Sequence, residues 1–430
     1  MHSLSEYKSL DYYAALQQAQ QAYRKAGIYE TFLALDLKQT LSEPQSIESI
    51  TEHLDLDRGA LSRFLHAAAN LNLAEKRGEK FVAKKNSPSY SRESSLVLFW
   101  LFNSNLIDVL KNGAKSQEQL IRAWGGYDAE KLALAVKYNL IAQNHGGSYA
   151  IPASTSTYLL SGSPNYIGPR IKHFEKIMNP MFSVKGLLGA LKTGKSQWET
   201  FFNKKVTHPF ALYQDNPVLL DIFTNGLYQL NTDDDKVIVE NLVIEDVKSV
   251  LDVGGGSGAF ALQLLNNHYS IEHIDIYELP DAIRILKKTF SKYNPHESRI
   301  NFISGSFFEK TKEGNLAGLP LTRQYDLIVL GWILHDWNDE RNIHILKRIL
   351  MHLKPNKILV ILEALLPDSR ISDVCYSDMA MLLQTEGRER TYSEYKQLLL
   401  HSGYTNISTM QTNTRRQAIT ATKPSIDGHI

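Results

Sequence analysis

The chain has 430 residues, of which 43% are apolar and 22% are charged, the proportions of an ordinary globular protein rather than of a disordered one. Its 47 basic and 46 acidic residues leave a formal net charge of +1, so the totals show no basic excess of the kind that a dedicated nucleic-acid binder needs. This length predicts two or three domains, because domains usually have about 100–200 residues.

The sequence also lacks the features of a membrane or exported protein. Its longest aromatic-rich apolar run, Leu96–Phe102, is far too short to cross a bilayer, which takes about 20 residues. The first residues carry charges and no apolar core, so we expect no secretory signal. The single cysteine, Cys375, excludes an internal disulfide. We therefore predict a reduced, cytoplasmic protein with no membrane partner.

The character of the sequence changes between residues 205 and 245. Helical periodicity dominates before this stretch. After Val247, short β-branched runs alternate with helical ones, as in the βαβ units of a parallel sheet. We therefore predict a mainly helical domain over residues 1–204 and an α/β domain over residues 205–430.

The first half contains a faint internal repeat over residues 46–83 and 116–151. Each copy is predicted to form a helix, a turn, a second helix and a hairpin, which is the outline of a winged helix. An Asn-Leu pair, Asn72-Leu73 in one copy and Asn139-Leu140 in the other, ends each second helix.

Two interpretations of this repeat compete, DNA binding through the second helices and a structural or dimer-forming role. The second helices carry few cations, which are Arg58, Arg63 and His66 in one copy and Lys131 and Lys137 in the other. Phosphate neutralisation typically uses about six or more contacts. The sequence therefore favours the structural role and no nucleic-acid partner.

A glycine-rich loop follows the first predicted strand of the second half. Strand Val247–Val253 carries Asp252 near its end, Gly254–Gly258 follow, and a helical run begins at Ala259. Glycines let a ligand approach the backbone closely, and a helix N-terminus offers free N–H groups. Glu278 ends the next strand, where a carboxylate can accept hydrogen bonds from ribose hydroxyls. The pattern predicts a nucleotide-type ligand, and its spacing does not exclude NAD.

The same loop, DVGGGSG, resembles motif I of the class I methyltransferases that use S-adenosyl-L-methionine (SAM). Further pieces of the chain resemble the O-methyltransferase family of caffeate, acetylserotonin and bacterial natural-product enzymes. They are YELP (277–280), GSFF (305–308), YDLIVLGWILHDW (325–337), ILEALLP (361–367) and GRERT (387–391). The resemblance implies a Rossmann-like domain with a seven-stranded sheet, preceded by a helical, winged-helix-like dimerisation and lid domain. It implies a homodimer that methylates a small molecule with SAM.

The resemblance also assigns site residues. His335 of the HDW motif is the implied general base, flanked by Glu363 and Glu389, with no metal. Met381 is implied to clamp the acceptor. The implied cofactor-binding residues are Asp252, Gly254, Gly256, Glu278, Ser306, Phe307 and Trp337.

His335 also follows from its position, since it lies just beyond strand Asp326–Leu330, at the sheet edge where doubly wound folds bind ligands. An imidazole with a pKa near 6.5 can take a proton from a phenol. The alternative is a residue that merely begins the helix capped by Asn338. For Glu363 the alternative is a solvated acid, for Glu389 a surface partner of a neighbouring arginine, and for Met381 plain core packing.

Three positions depart from the family pattern. Glu278 replaces an aspartate, Ser306 replaces an aspartate that would contact the adenine amine, and Gly331 replaces a lysine or arginine. We expect a cofactor contact to be lost at Gly331.

Among the possible functions, O-methylation is the favoured one. Three alternatives stay open: C-methylation of an enolisable carbon such as that of an α-keto acid, a SAM-sensing winged-helix regulator, and an NAD-dependent oxidoreductase.

Overall fold

The computed structural model describes residues 12–425 except 164–165, 204–205, 207–209, 211–215, 217–219, 221–233, 294–296, 411 and 413. It divides into two compact units, Met1–Thr193 and Gly194–Ile430. The division precedes the predicted boundary at residue 204, for a physical reason. Gln197 donates its backbone N–H to Leu383 O at 2.8 Å, and Trp198 donates Nε1–H to Gln384 O at 2.6 Å. The helix that begins at Trp198 therefore belongs with the second unit.

The first unit is mainly helical, as predicted. Its α-helices are Tyr12–Ala34, Leu37–Thr40, Ile47–Leu54, Arg58–Asn70, Glu93–Asn103, Leu106–Leu110, Gln117–Trp124, Ala129–Lys137, Ala153–Leu159, Gly168–His173, Asn179–Met181 and Val184–Thr193, with a π-helical turn at Phe174–Met178. Within the described part of the chain, no helix of either unit combines the length and apolar character that a bilayer crossing requires.

Both segments of the internal repeat contain two helices and a hairpin. Strands β1 (Gln45–Ser46), β2 (Ala74–Arg77) and β3 (Lys80–Ala83) form a sheet in the order β1-β3-β2. In the second segment, β4 (Ala142–Gln143) pairs with β5 (Tyr149–Ala150), and a bridge from Lys115 to Tyr149 takes the place of β1.

The helices of the two segments are also capped alike. The side chains of Ser46, Asp57, Ser116 and Asp128 each accept a backbone N–H three residues ahead. Such caps satisfy N–H groups that have no partner inside the helix. The segments therefore share their helix-start signals as well as their element order.

Each second helix ends in the same way. Asn72 and Asn139 have φ angles of 58° and 54°, in the left-handed region that asparagine tolerates better than most residues. The leucine after each asparagine donates its N–H five residues back, to Ala68 O in one segment and to Ala135 O in the other. These contacts form the same helix-ending motif twice, at the Asn-Leu pairs that the sequence singled out.

The second unit is built on a seven-stranded sheet in the order β13-β14-β10-β9-β6-β7-β8. Its strands are β6 (Ser249–Val253), β7 (His273–Glu278), β8 (Ile300–Ser304), β9 (Tyr325–Gly331), β10 (Leu353–Glu363), β13 (Thr405–Met410) and β14 (Gln417–Thr422). The first five are parallel, and β14 lies antiparallel to both β10 and β13. A short parallel pair, β11 (Leu365–Leu366) and β12 (Arg390–Thr391), lies apart from this sheet. The predicted α/β class and Rossmann-like sheet are confirmed.

Helices connect β6 to β7, β7 to β8 and β9 to β10, and others complete the second unit. They are Ala259–Asn267, Pro280–Tyr293, Asp339–Leu350, Val374–Gln384 and Tyr392–His401, besides Trp198–Phe202 and a helical stretch over 234–241. Central strands are buried on both faces, since Leu327 and Val329 pack in one apolar cluster while Ile328 and Leu330 pack in another. This burial is why the central strands are continuous apolar runs in the sequence.

At the opposite edge of the sheet from the glycine loop, Asp326 joins β9 to the start of β6. Its Oδ2 accepts the backbone N–H groups of Lys248 and Ser249 at 3.1 and 3.0 Å, and Lys354 Nζ donates to Oδ1 at 2.9 Å. Burial by itself raises the pKa of this carboxyl, but Lys354 and the N–H donors outweigh it and lower the pKa to about 2. Asp326 therefore stabilises the fold as an anion.

We predict that Asp326→Ala lowers the free energy of unfolding by about 1–3 kcal/mol, because it leaves buried N–H donors without an acceptor. Since the folded-state pKa is lowered, the carboxylate's contribution is present above pH 3.8 and is lost as the pH falls toward 2. Urea unfolding at pH 7 and at low pH measures both effects.

The matched control is Glu272→Gln, which breaks the exposed ion pair between Glu272 and Lys248, where nitrogen and oxygen are 3.0 Å apart. Exposed pairs contribute little, so stability should hardly change. Equal stability of Asp326→Ala and the wild type would contradict the assignment.

Candidate active site

The glycine loop lies at the carboxyl edge of β6 and is tied to β7. Gly254 and Gly256 have φ angles of 69° and 51°, which residues with a side chain rarely adopt. Gly254 donates its N–H to Tyr277 O at 2.7 Å, and Gly256 donates to Glu278 Oε2 at 3.2 Å. The predicted loop residues and Glu278 are therefore brought together, with the Glu278 carboxylate bound to the loop itself.

Asp252 lies directly beneath this loop and is 3% exposed. Its Oδ2 has no hydrogen-bond partner among the described residues. Burial raises the pKa of this carboxyl to about 7, and the charges of Asp235 and Glu278 add to the effect. A buried carboxyl oxygen without a partner can accept a hydrogen bond from a ligand or pair with its positive charge. Because this oxygen lies beside the glycine loop, the residues fit the nucleoside-type ligand predicted for that loop.

Of the other predicted cofactor residues, Phe307 lies against the loop and Trp337 packs elsewhere. The Phe307 ring stacks on Tyr277 at 6.1 Å between centroids, and a β-carbon on Gly254 would be 3.3 Å from Phe307 Cζ. Ser306 Oγ accepts the N–H of Phe308 at 3.3 Å. The Trp337 ring lies edge-on to Phe308 at 4.7 Å, in the core of the unit. This packing accounts for Trp337, and its cofactor role stays a prediction.

His335 lies on a 3-10 turn, Leu334–Asp336, after the end of β9 and is 7% exposed. Glu363, at the end of the neighbouring strand β10, holds this turn. Its Oε1 accepts the N–H groups of Ile333, Leu334 and His335 at 3.1, 2.9 and 3.4 Å. Glu363 is fully buried, so it is not the solvated acid of the alternative interpretation.

Glu389 binds the imidazole itself. The His335 Nδ1 and Glu389 Oε1 atoms are 3.1 Å apart, while Nδ1 and Glu363 Oε2 are 3.8 Å apart. Ser377 donates its hydroxyl to the same Glu389 oxygen at 2.7 Å, and Asp378 accepts the Glu389 N–H at 2.9 Å. Glu389 is thus a buried partner of His335 and not a surface partner of an arginine.

The charges around His335 determine its affinity for a proton. Burial by itself lowers the pKa of the imidazole, but Glu363, Glu389 and Asp336 outweigh burial and raise it to about 10. Burial in turn raises the pKa of Glu363 to about 7 and that of Asp336 to about 6, against the lowering effect of His335. The arrangement therefore stabilises an imidazolium.

Backbone strain occurs next to this turn. Trp332 has a φ of 56°, which a residue with a bulky side chain adopts only when its surroundings enforce it. Its N–H donates to Leu362 O at 3.1 Å, and its ring lies 4.9 Å from the His335 ring. Strain of this kind concentrates at functional sites, so it marks the residues around His335.

Two residues whose role the sequence did not reveal hydrogen-bond to backbone carbonyls of this turn. Arg390 is fully buried and donates to the carbonyls of Leu334 and Trp337 at 2.9 and 2.8 Å. Asn342 donates to the same two carbonyls at 2.8 and 3.0 Å. Gly387 passes so close that a β-carbon there would be 2.1 Å from His335 O. The sequence signal was the GRERT motif, whose arginines looked like surface residues.

The carboxylates and the imidazole could also bind a metal ion. One ligand atom from each of His335, Glu363 and Glu389 lies within 4.8 Å of the others. The second oxygens, Glu363 Oε2 and Glu389 Oε2, have no hydrogen-bond partner among the described residues. Imidazole and carboxylate suit several divalent metals. The cluster can therefore either orient a base or hold a cation.

The predicted acceptor clamp, Met381, lies on helix Val374–Gln384 and is partly buried. This helix also carries Ser377 and Asp378, which bind Glu389. Its role as a clamp stays a prediction.

Comparison with known proteins shows similarity to O-methyltransferases. A family model described as an O-methyltransferase domain matches residues 185–405, just over half of the chain. The chain is 28% identical to acetylserotonin O-methyltransferase of Bos taurus over 299 residues, which is 68% of this chain and 82% of that protein. It is 27% identical to the Homo sapiens enzyme of the same name, with the same coverage of both chains, 68% and 82%.

Solved structures agree in fold. Human N-acetylserotonin methyltransferase in complex with SAM superposes with a TM-score of 0.67 at 24% identity, over 77% of this chain and 94% of that one. PigF with SAH has a TM-score of 0.67 at 22% identity, over 76% and 95% of the two chains. At these identities the likeness shows the fold alone.

The electrostatics predict a measurable titration. Because Glu389 raises the pKa of His335 by charge and by its hydrogen bond, Glu389→Gln should lower that pKa by about 1–3, while Gln still accepts a hydrogen bond from Nδ1. NMR of protein labelled at the histidine ring carbon, with the signal assigned by a His335→Asn variant, measures the change.

Glu386→Gln is the charge-matched control, because Glu386 pairs with Arg341 at 3.2 Å, away from the imidazole. It should leave the His335 titration unchanged. A His335 pKa at or below 6.5 in the wild type would contradict the picture of carboxylates outweighing burial.

Proposed function

The chain belongs to the O-methyltransferase family, and from this membership we propose that it transfers the methyl group of SAM to a hydroxyl of a small-molecule acceptor, with His335 as general base. Membership makes the protein a SAM-dependent O-methyltransferase. The observation that supports His335 most directly is its Nδ1, 3.1 Å from Glu389 Oε1 on a buried turn at the glycine-loop edge of the sheet.

When bound, SAM supplies a methyl group that its sulfonium already activates. The protein therefore has to position the acceptor and remove its proton. Phenolic hydroxyls have pKa values near 10, so at neutral pH they need a base to ionise.

The hydrogen bond to Glu389 fixes the tautomer of His335. In the neutral imidazole, with Nδ1–H donated to Glu389 Oε1, the lone pair lies on Nε2, the nitrogen that would take the proton of the acceptor hydroxyl. The carboxylates of Glu363 and Glu389 then stabilise the imidazolium that forms. Because these charges raise the pKa of His335, only the neutral form of the imidazole can act as the base, and the fraction in that form increases with pH.

A second candidate is C-methylation of an α-keto acid held by a metal, which the metal-competent cluster of His335, Glu363 and Glu389 favours. A metal on Nδ1 would displace the proton that Glu389 accepts. The 3.1 Å distance between Nδ1 and Glu389 Oε1 fits the hydrogen bond that the base requires.

His335→Ala should lower turnover by about 10²–10⁴, as expected for the loss of a general base, and should leave SAM binding nearly intact. Transfer of radiolabelled methyl from SAM to a panel of phenols and hydroxyindoles, N-acetylserotonin among them, identifies an acceptor. Turnover is then compared on that acceptor, and SAM affinity is measured by calorimetry.

His401→Ala is the control, because His401 is exposed and its ring lies within hydrogen-bond distance of Gln397 O in its own helix. It should retain wild-type turnover. Unchanged turnover in His335→Ala would refute the base.

We also propose a homodimer formed through the N-terminal unit, as the resemblance implies for its helical region. The long first helix, Tyr12–Ala34, and its neighbours are the proposed contact. Sedimentation should give about twice the 48.7 kDa of one chain, and a 48.7 kDa species at working concentration would contradict the dimer.

A further inference from the structure

Arg416 occupies the place beside Gly331 where the sequence led us to expect a lost cationic contact. It directly precedes β14, whose first residue, Gln417, pairs with Glu363 at the carboxyl end of β10. The side chain is buried, and its Nη1 is 3.6 Å from where a β-carbon of Gly331 would lie. The guanidinium of the residue that precedes β14 therefore lies beside the space that the glycine leaves open.

The backbone holds Arg416 in this position. Thr414 donates its hydroxyl to Arg416 O at 2.8 Å, and Thr412 donates its hydroxyl to the same oxygen. The Arg416 N–H donates back to Thr414 Oγ1 at 3.3 Å. A side chain that starts from a fixed backbone loses less freedom when it binds a ligand, so it binds more tightly.

The charges near Arg416 are only partly paired. Its Nη2 binds Asp235 Oδ1, and both residues are buried. Its Nε has no hydrogen-bond partner among the described residues, and the same holds for Asp252 Oδ2. Burial raises the pKa of Asp235 to about 6 and that of Asp252 to about 7, and Arg416 works against both increases. Arg416 thus pairs with Asp235 and acts on Asp252 through its charge, while Asp252 Oδ2 and Arg416 Nε remain available to hydrogen-bond a ligand.

We propose that Arg416 binds the carboxylate of the methionine part of SAM, replacing the cation that is absent at Gly331. Asp252 and Asp235 supply the opposite charge for the ammonium of the same amino acid. An α-amino acid carries one charge of each sign, and a buried cluster that presents both signs is complementary to it. The inference rests on the proposed function, because it assumes SAM as the ligand of the glycine loop.

The alternative is that Arg416 only neutralises Asp235 within the fold. The two roles differ in one respect. A residue that binds the ligand carboxylate affects ligands that have the amino acid and spares ligands that lack it. A purely structural residue affects both alike.

Calorimetry with two ligands distinguishes the roles. S-adenosylhomocysteine carries the amino acid, whereas 5′-methylthioadenosine has the same nucleoside and no carboxylate. Arg416→Met should weaken binding of the first by about 10- to 100-fold, the loss of a hydrogen bond between charged groups, and change binding of the second by less than about twofold. Arg415→Met is the control. Arg415 is the adjacent, half-exposed arginine that pairs with Asp234 at 2.7 Å, and its loss should change neither affinity.

A second pair of variants guards against misfolding. Asp235→Asn combined with Arg416→Met removes the acid that the single variant would leave unpaired, and it should show a selective loss at least as large, since Asp235 is also a proposed partner of the ammonium. Gly331→Lys in the Arg416→Met background returns a cation to the neighbouring position, where the β-carbon meets only ordinary van der Waals contacts of 3.6–3.9 Å. It should recover part of the lost affinity for S-adenosylhomocysteine.

Equal weakening of both ligands in Arg416→Met and in the double variant, or no weakening of either, would overturn the role of Arg416 and leave the proposed function standing. A wild-type protein that binds neither ligand would overturn the proposed function itself, and the inference with it.

Discussion

The site depends on one interaction, the acceptance of three consecutive backbone N–H groups by the Glu363 carboxylate. These donors belong to the turn that carries His335, and the turn follows a residue in the left-handed region. Backbone strained in this way persists only where the surroundings hold it, and a buried carboxylate that accepts several N–H groups is a strong hold. The same carboxylate also raises the proton affinity of the imidazole. Position and basicity of His335 thus have one common cause.

Features with a local sequence signal were predictable. The glycine loop, Glu278 at the end of its strand and the apolar central strands each follow from neighbouring residues, and the sheet agrees with them. Glu363 and Glu389 were predicted to flank His335 by resemblance, and they lie 3.8 and 3.1 Å from its Nδ1. Their burial was not predictable, because it depends on packing of strand and helix ends that no local pattern specifies. The two compact units divide ahead of the predicted boundary at residue 204, and the bonds of Gln197 and Trp198 to residues near 384 that go with this division are long-range.

Residues that act across the fold were missed. Arg390 looked like a surface residue in a charged motif, yet it binds the carbonyls beneath His335. Gly331 suggested that a cation was absent, because comparison with the family pattern considers one sequence position at a time. In three dimensions the charge beside Gly331 comes from Arg416, 85 positions later, through antiparallel strand β14. The charge at a site depends on every residue that reaches it in space, and these residues can come from different parts of the chain.

The matched caps of the two N-terminal segments have a consequence for how the chain acquires its structure. Each segment starts and ends its helices with residues close in sequence, and its hairpin joins strands separated by a few residues. Contacts of short sequence separation close with little loss of chain entropy and form quickly. The parallel sheet of the second unit pairs β6 with β9, which are far apart along the chain. Folding should therefore begin in the two segments before the strands of the parallel sheet have paired.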